Sequence, residues 1–91
     1  MAHHSHDRDR ILARVRRIGG LIAAIERSVE GDAPCRDTLH LVAGVRGAVG
    51  GLMDELIEEQ LREHVAAPGL SDAERSEAAQ EIATLLRRYA K

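Results

Sequence analysis

The chain has 91 residues, 44% of them hydrophobic and 31% charged, with one Tyr, no Trp or Phe, two Pro and a formal net charge of -2. This bounds it to one small domain whose modest core is aliphatic, and an Ala-rich, proline-poor composition of this kind points to helices. The charge excludes a global attraction to nucleic acid, the single cysteine excludes an intrachain disulfide, and no apolar run approaches the roughly 18 residues of a membrane span. The start MAHHSHDRDR is polar and unlike a signal peptide, so a reducing, cytoplasmic location is expected.

Taken in chain order, residues 1–6 read as a flexible tail and residues 7–30 as helix one, because Ile11, Val15, Ile18, Ile22, Ile25 and Val29 recur every three or four residues. Gly31 closes that helix as a C-cap would, and Pro34 opens helix two, where its missing N–H costs nothing. Helix two is expected over 34–67, stopped by Pro68-Gly69. Ser71 and Glu74 form a capping box for helix three, 71–90, which carries Ile82, Leu85, Leu86 and Tyr89. Gly44, Gly47, Gly50 and Gly51 each cost about 1 kcal/mol in a helix interior. The apolar phase nevertheless survives them, with Val42, Val49, Met53 and Leu56 staying on one stripe with Cys35. One long helix is therefore expected, with a break at Gly50-Gly51 as the alternative.

Cys35 and His64 lie at opposite ends of that helix. At 100° per residue their separation returns His64 to within about 20° of Cys35 around the axis, yet the rise places it roughly 44 Å away. Two metal-competent side chains so placed share a site only if a second copy of the chain runs antiparallel. The crossing would fall at Val49/Gly50, where small residues allow close approach. Gly44 and Gly51 point away from this seam, toward helix one or another subunit. Cys35 sits in the first turn of helix two, where free N–H groups and the positive end of the dipole suit an anionic sulfur; alone, it reads equally as a small apolar residue. His64 alone reads as a solvated histidine at a helix C-terminus.

The local charge balance differs from the global one. Residues 8–17 hold five Arg against one acid, with Arg10, Arg14 and Arg17 at i, i+4, i+7 and Arg8 and Arg16 beside them. Such a stripe can neutralise phosphates despite the net negative chain, and a charged solvated face is the ordinary alternative. No recognition-helix motif is present, so contact with DNA would rest on backbone and shape.

The segments RVRRIGGLIAAIERSVEGDAPC and LHLVAGVRGAVGGLMDELIEEQLREH, with the order RVRRI…C…VRGAV.GLM, resemble the CsoR/RcnR/FrmR family of small bacterial transcriptional repressors over nearly the whole chain. The resemblance is closest to the nickel/cobalt and formaldehyde branches. It implies an all-α antiparallel dimer pairing into a tetramer, in keeping with the three helices and long central one read above; with no nucleophile–base–orienter set in the sequence, no enzyme activity is expected. It further implies a DNA surface on helix one through Arg14, Arg16 and Arg17, and release of double-stranded operator DNA when the cysteine site is occupied; Arg10, from the stripe, and the basic Lys91 are expected as further phosphate contacts.

The resemblance also makes Cys35 and His64 effector ligands. One turn before His64, where relatives usually carry a ligand histidine, this chain has Gln60, whose amide oxygen is a poor ligand for nickel or cobalt. Removal of Met1 would leave the Ala2 amine followed by His3, a pair the nickel/cobalt branch uses as ligands; His4 is a further candidate. His40 and Arg46 read as structural. The expected effector is a divalent transition metal, nickel or cobalt first, with no organic cofactor. Formaldehyde, bridging Cys35 and the free amine, is the alternative. A metal-binding helical oligomer without a DNA role is the alternative of another class.

Overall fold

The computed structural model describes residues 5–89, and among them all regular structure is helical: α1 (Ser5–Glu30), α2 (Cys35–His64) and α3 (Asp72–Tyr89). The three expected helices are present, and α2 runs unbroken through Gly50-Gly51. No described helix is long and apolar enough to cross a membrane. The chain divides into two compact units after Met53: the first holds α1 and the leading part of α2, the second the rest of α2 and α3.

In the first unit each helix carries two apolar stripes. On α1, Ile11, Ile18, Leu21, Ile25 and Ser28 are half-buried, while Leu12, Val15, Ile22 and Val29 are exposed. On α2, Thr38, Leu41, Val45, Ala48 and Leu52 are half-buried, while Leu39, Val42 and Val49 are exposed. A strict three-four repeat thus splits: alternate members turn toward the neighbouring helix and the others toward solvent. Val29 and Leu39 remain 63% and 62% exposed, far beyond what a satisfied core residue shows.

The connection between α1 and α2 is closed by backbone geometry. Ala33 N–H donates to Ser28 C=O at 3.0 Å and Asp32 N–H to Val29 C=O at 3.2 Å, which is a Schellman closure. The left-handed residue of that motif is Asp32, with φ 54°, and not Gly31. Gly31 stands one place earlier, still donating helix-fashion to Arg27 C=O at 2.9 Å. Pro34 C=O then accepts from Asp37 and Thr38 N–H, which makes Cys35 the first residue of α2.

In the second unit, Ala78 and Ile82 of α3 are the buried apolar residues, each 6% exposed, and Glu59 of α2 is a buried polar one at 4%. α2 stops at His64, three residues short of the expected end. Val65 and Ala66 N–H both converge on Leu61 C=O, at 3.1 and 2.8 Å, as the helix unwinds ahead of Pro68, whose ring disfavours helical backbone before it. Gly69 supplies the reversal with φ 84°. Arg75 ties the loop down, donating from Nη1 to Val65 C=O at 2.7 Å and from Nη2 to Leu70 C=O at 3.4 Å. The capping box forms as expected: Ser71 N–H donates to Glu74 Oε1 at 2.8 Å and Glu74 N–H to Ser71 Oγ at 3.0 Å.

Candidate functional site

Cys35 is a free, exposed thiol on the first residue of α2. Its place is set by the Asp32 closure behind it and by a 2.7 Å hydrogen bond between Ser28 Oγ and Thr38 Oγ1, which joins the last turn of α1 to the first turn of α2. The thiol therefore stands at a braced elbow with its sulfur open to a ligand or an electrophile.

His64 is the last residue of α2 and is half-buried. It lines a concavity of about 290 Å³ together with Gln60, Leu70 and the side chains of Glu74, Glu77 and Glu81. Gln60 and His64, one turn apart, thus share a recess. The three glutamates recur at i, i+3 and i+7 on α3, a spacing visible in the sequence but not singled out there. They line the same recess as His64 and make its α3 side acidic. Ser71's backbone N–H and then its side chain hold the Glu74 carboxyl below the usual carboxylate range, with a smaller contribution from Arg75.

Cys35 is the first residue of α2 and His64 the last. Among the described residues, no group of three or more His, Cys, Asp or Glu side chains is arranged to hold a metal ion. Ala2, His3, His4 and Lys91 lie outside the described residues.

On α1, Arg8, Arg16 and Arg17 are exposed. Arg10 donates from Nη2 to Asp7 Oδ1 at 3.0 Å in a partly exposed ion pair. The Arg14 guanidinium lies against α2 at Gly51. Charge count alone does not separate these arginines. The signal that would have done so is phase, because Arg14 falls on the half-buried stripe with Ile11 and Ile18. His40 and Arg46 are exposed on α2.

Residues 7–88 match the family described as metal-sensitive transcriptional repressor. The chain is 34% identical, over the full length of both proteins, to the transcriptional repressor RcnR of Salmonella arizonae. It is 42% identical, again over both full lengths, to an uncharacterized Serratia marcescens protein encoded in the region 5' of bioA. Its fold matches that of a glutamate-to-histidine variant of the formaldehyde-responsive regulator FrmR from Salmonella enterica serovar Typhimurium, with TM-score 0.89, 42% identity and coverage of 96% of this chain and 98% of the other. The chain belongs to the metal-sensitive transcriptional repressor family, whose members are not enzymes.

Proposed function

We propose that this chain represses transcription by holding double-stranded operator DNA on helix one and releases it when a divalent transition metal, nickel or cobalt first, binds between subunits. The observation that carries the reading is the placement of Cys35 and His64 on one side of an unbroken α2 at its two ends. Such ends meet only across two antiparallel copies, and the exposed Leu39, Val42, Val49 and Leu56 on the same side of α2 give that second copy an apolar surface to cover. The proposal includes a homodimer pairing into a homotetramer, as the family implies, working in the cytoplasm.

In that arrangement the thiol of one chain and the imidazole of the next are two donors. They do not complete a transition-metal set, which needs at least two more. The Ala2 amine and His3 are the donors we assign to fill it, with Gln60 and His4 as neighbours. An effector must bind the DNA-free arrangement more tightly, and a tenfold loss of operator affinity requires about 1.4 kcal/mol of coupling.

Formaldehyde is the second reading. It is favoured by the formaldehyde-responsive regulator among the similar structures, whereas Gln60, in the recess of His64, departs from the relatives' usual histidine and weighs against both effectors. An exposed thiol and a primary amine joined by one carbon, with loss of water, would occupy the same interface. Gel-shift titration with DNA from upstream of the chain's own and neighbouring genes separates the two. Release by stoichiometric nickel or cobalt supports the metal; release by formaldehyde with no metal effect supports the aldehyde. Failure to bind any such duplex leaves a metal-binding oligomer. Cys35→Ala removes the response in the first two cases.

A further inference from the structure

Arg14 is in phase with the half-buried stripe of α1 that runs Ile11, Ile18, Leu21, Ile25 and Ser28, and it is the charged residue of that series. Its guanidinium rests over Gly51 of α2: a Cβ at residue 51 would stand 2.8 Å from Nη1 and 3.7 Å from Cζ. The first distance is closer than real Cβ atoms come, so the guanidinium occupies room that exists because residue 51 has no side chain. A Cβ at Gly44, Gly47 or Gly50 in the same helix would meet nothing within 4 Å beyond its own stretch of helix, which sets Gly51 apart from them. Arg14 has a further polar or electrostatic partner as well, and the residue as a whole stays exposed. It is held, and still open to solvent.

We propose that Gly51 is a positioning residue for DNA binding. Its bare backbone seats the Arg14 guanidinium, so that this arginine is already ordered on helix one when a phosphate arrives. The inference rests on the DNA surface proposed above. Ordering a long side chain at an interface costs about 0.5–1.5 kcal/mol, a factor of about two to twelve in affinity, and a preorganised side chain avoids that loss. An alanine methyl at residue 51 would push the guanidinium off its seat without altering Arg14 itself. The exchange also favours helix, so the variant is expected to fold at least as well as the parent.

Four proteins test this with the duplex selected in the gel-shift: the parent, Gly51→Ala, Arg14→Ala and the double variant. Gly51→Ala is expected to weaken binding two- to twelvefold, and to change nothing further in the Arg14→Ala background. In the DNA-free protein, the heteronuclear NOE at Arg14 Nε should be that of a restrained group in the parent and of a mobile one in Gly51→Ala. Parental affinity in Gly51→Ala overturns the proposal, as does an equal loss in both backgrounds or an Arg14 Nε as mobile in the parent as that of Arg16. If Arg14→Ala itself binds DNA as the parent does, the seat has no role in binding and the proposal fails, while the helix-one reading then stands or falls on Arg16 and Arg17.

Discussion

Ser28 and Thr38, ten residues apart, share a 2.7 Å hydroxyl–hydroxyl hydrogen bond across the elbow that presents Cys35. The pair is partly buried, so losing one partner leaves the other without its bond in a place water reaches poorly. Ser28→Ala or Thr38→Val should each cost about 1 kcal/mol, and the double variant less than their sum, because with both gone no orphan remains. Urea denaturation of the four proteins in a double-mutant cycle measures this. Strict additivity would show that the bond contributes nothing.

Asp32 bears the left-handed turn at the same elbow, with φ 54°. Asp tolerates this conformation better than most residues, but Gly adopts it without a Cβ penalty. Asp32→Gly should therefore stabilise the fold by about 0.5–1 kcal/mol, and Asp32→Val should destabilise it by more than that. The opposite ranking in thermal denaturation would show that the backbone at this position differs.

At the head of α3, Ser71→Ala removes the cap and should cost about 1 kcal/mol. The Glu74 carboxyl is held below its ordinary range by the Ser71 backbone N–H first, so its ionised form favours the folded state. That contribution is present above the usual carboxylate range and is lost as pH falls through the lower folded value. The group is fully exposed, so the share is small. Stability followed from pH 7 into acid should decline slightly less in Glu74→Gln than in the parent; identical slopes would remove Glu74 from the account.

Phase and capping chemistry made most of this fold legible in the sequence. Ser71 and Glu74 cap α3 as their letters indicate, and the Pro34 carbonyl accepts the first bonds of α2. What composition does not carry is hydrogen-bond register. Gly31 looks like the left-handed residue, yet the Schellman bonds place that role on Asp32, one step later. Helix one begins at Ser5 rather than residue 7, and α2 ends at His64 because the backbone unwinds before Pro68 reaches it. At the candidate site, Cys35 and His64 were readable as residues on one side of a helix. Two other features arise from packing between helices: the glutamates of α3 in the recess of His64, and the seat of Arg14, which depends on an absent side chain.

Arg16 and Arg17 are exposed on α1, in the run where basic residues outnumber acids. If each meets a phosphate, each Ala substitution should lower the log–log salt slope of operator binding by about 0.9 per contact while leaving the oligomer intact. Arg46→Ala, on α2, should leave the slope unchanged. Equal slopes in the parent, Arg16→Ala and Arg17→Ala, together with parental affinity in Arg14→Ala, would remove helix one from the DNA surface.

The side of α2 that carries Cys35 also leaves Leu39, Val42, Val49 and Leu56 exposed, between 38% and 62%. Covering side chains already partly buried is worth roughly 1 kcal/mol each, and a two-fold interface counts every one twice, once from each copy. A charge at the centre of that stripe would have to be buried without a partner. Val49→Asp should therefore shift sedimentation at micromolar concentration toward monomer while the helical content of each chain changes little. Because the proposed effector site joins Cys35 of one copy to His64 of the next, the same substitution should also abolish effector binding although no ligand has been altered. A parent chain that is monomeric and folded at these concentrations, or a Val49→Asp variant that assembles and responds as before, would place the subunit contact and the effector site elsewhere.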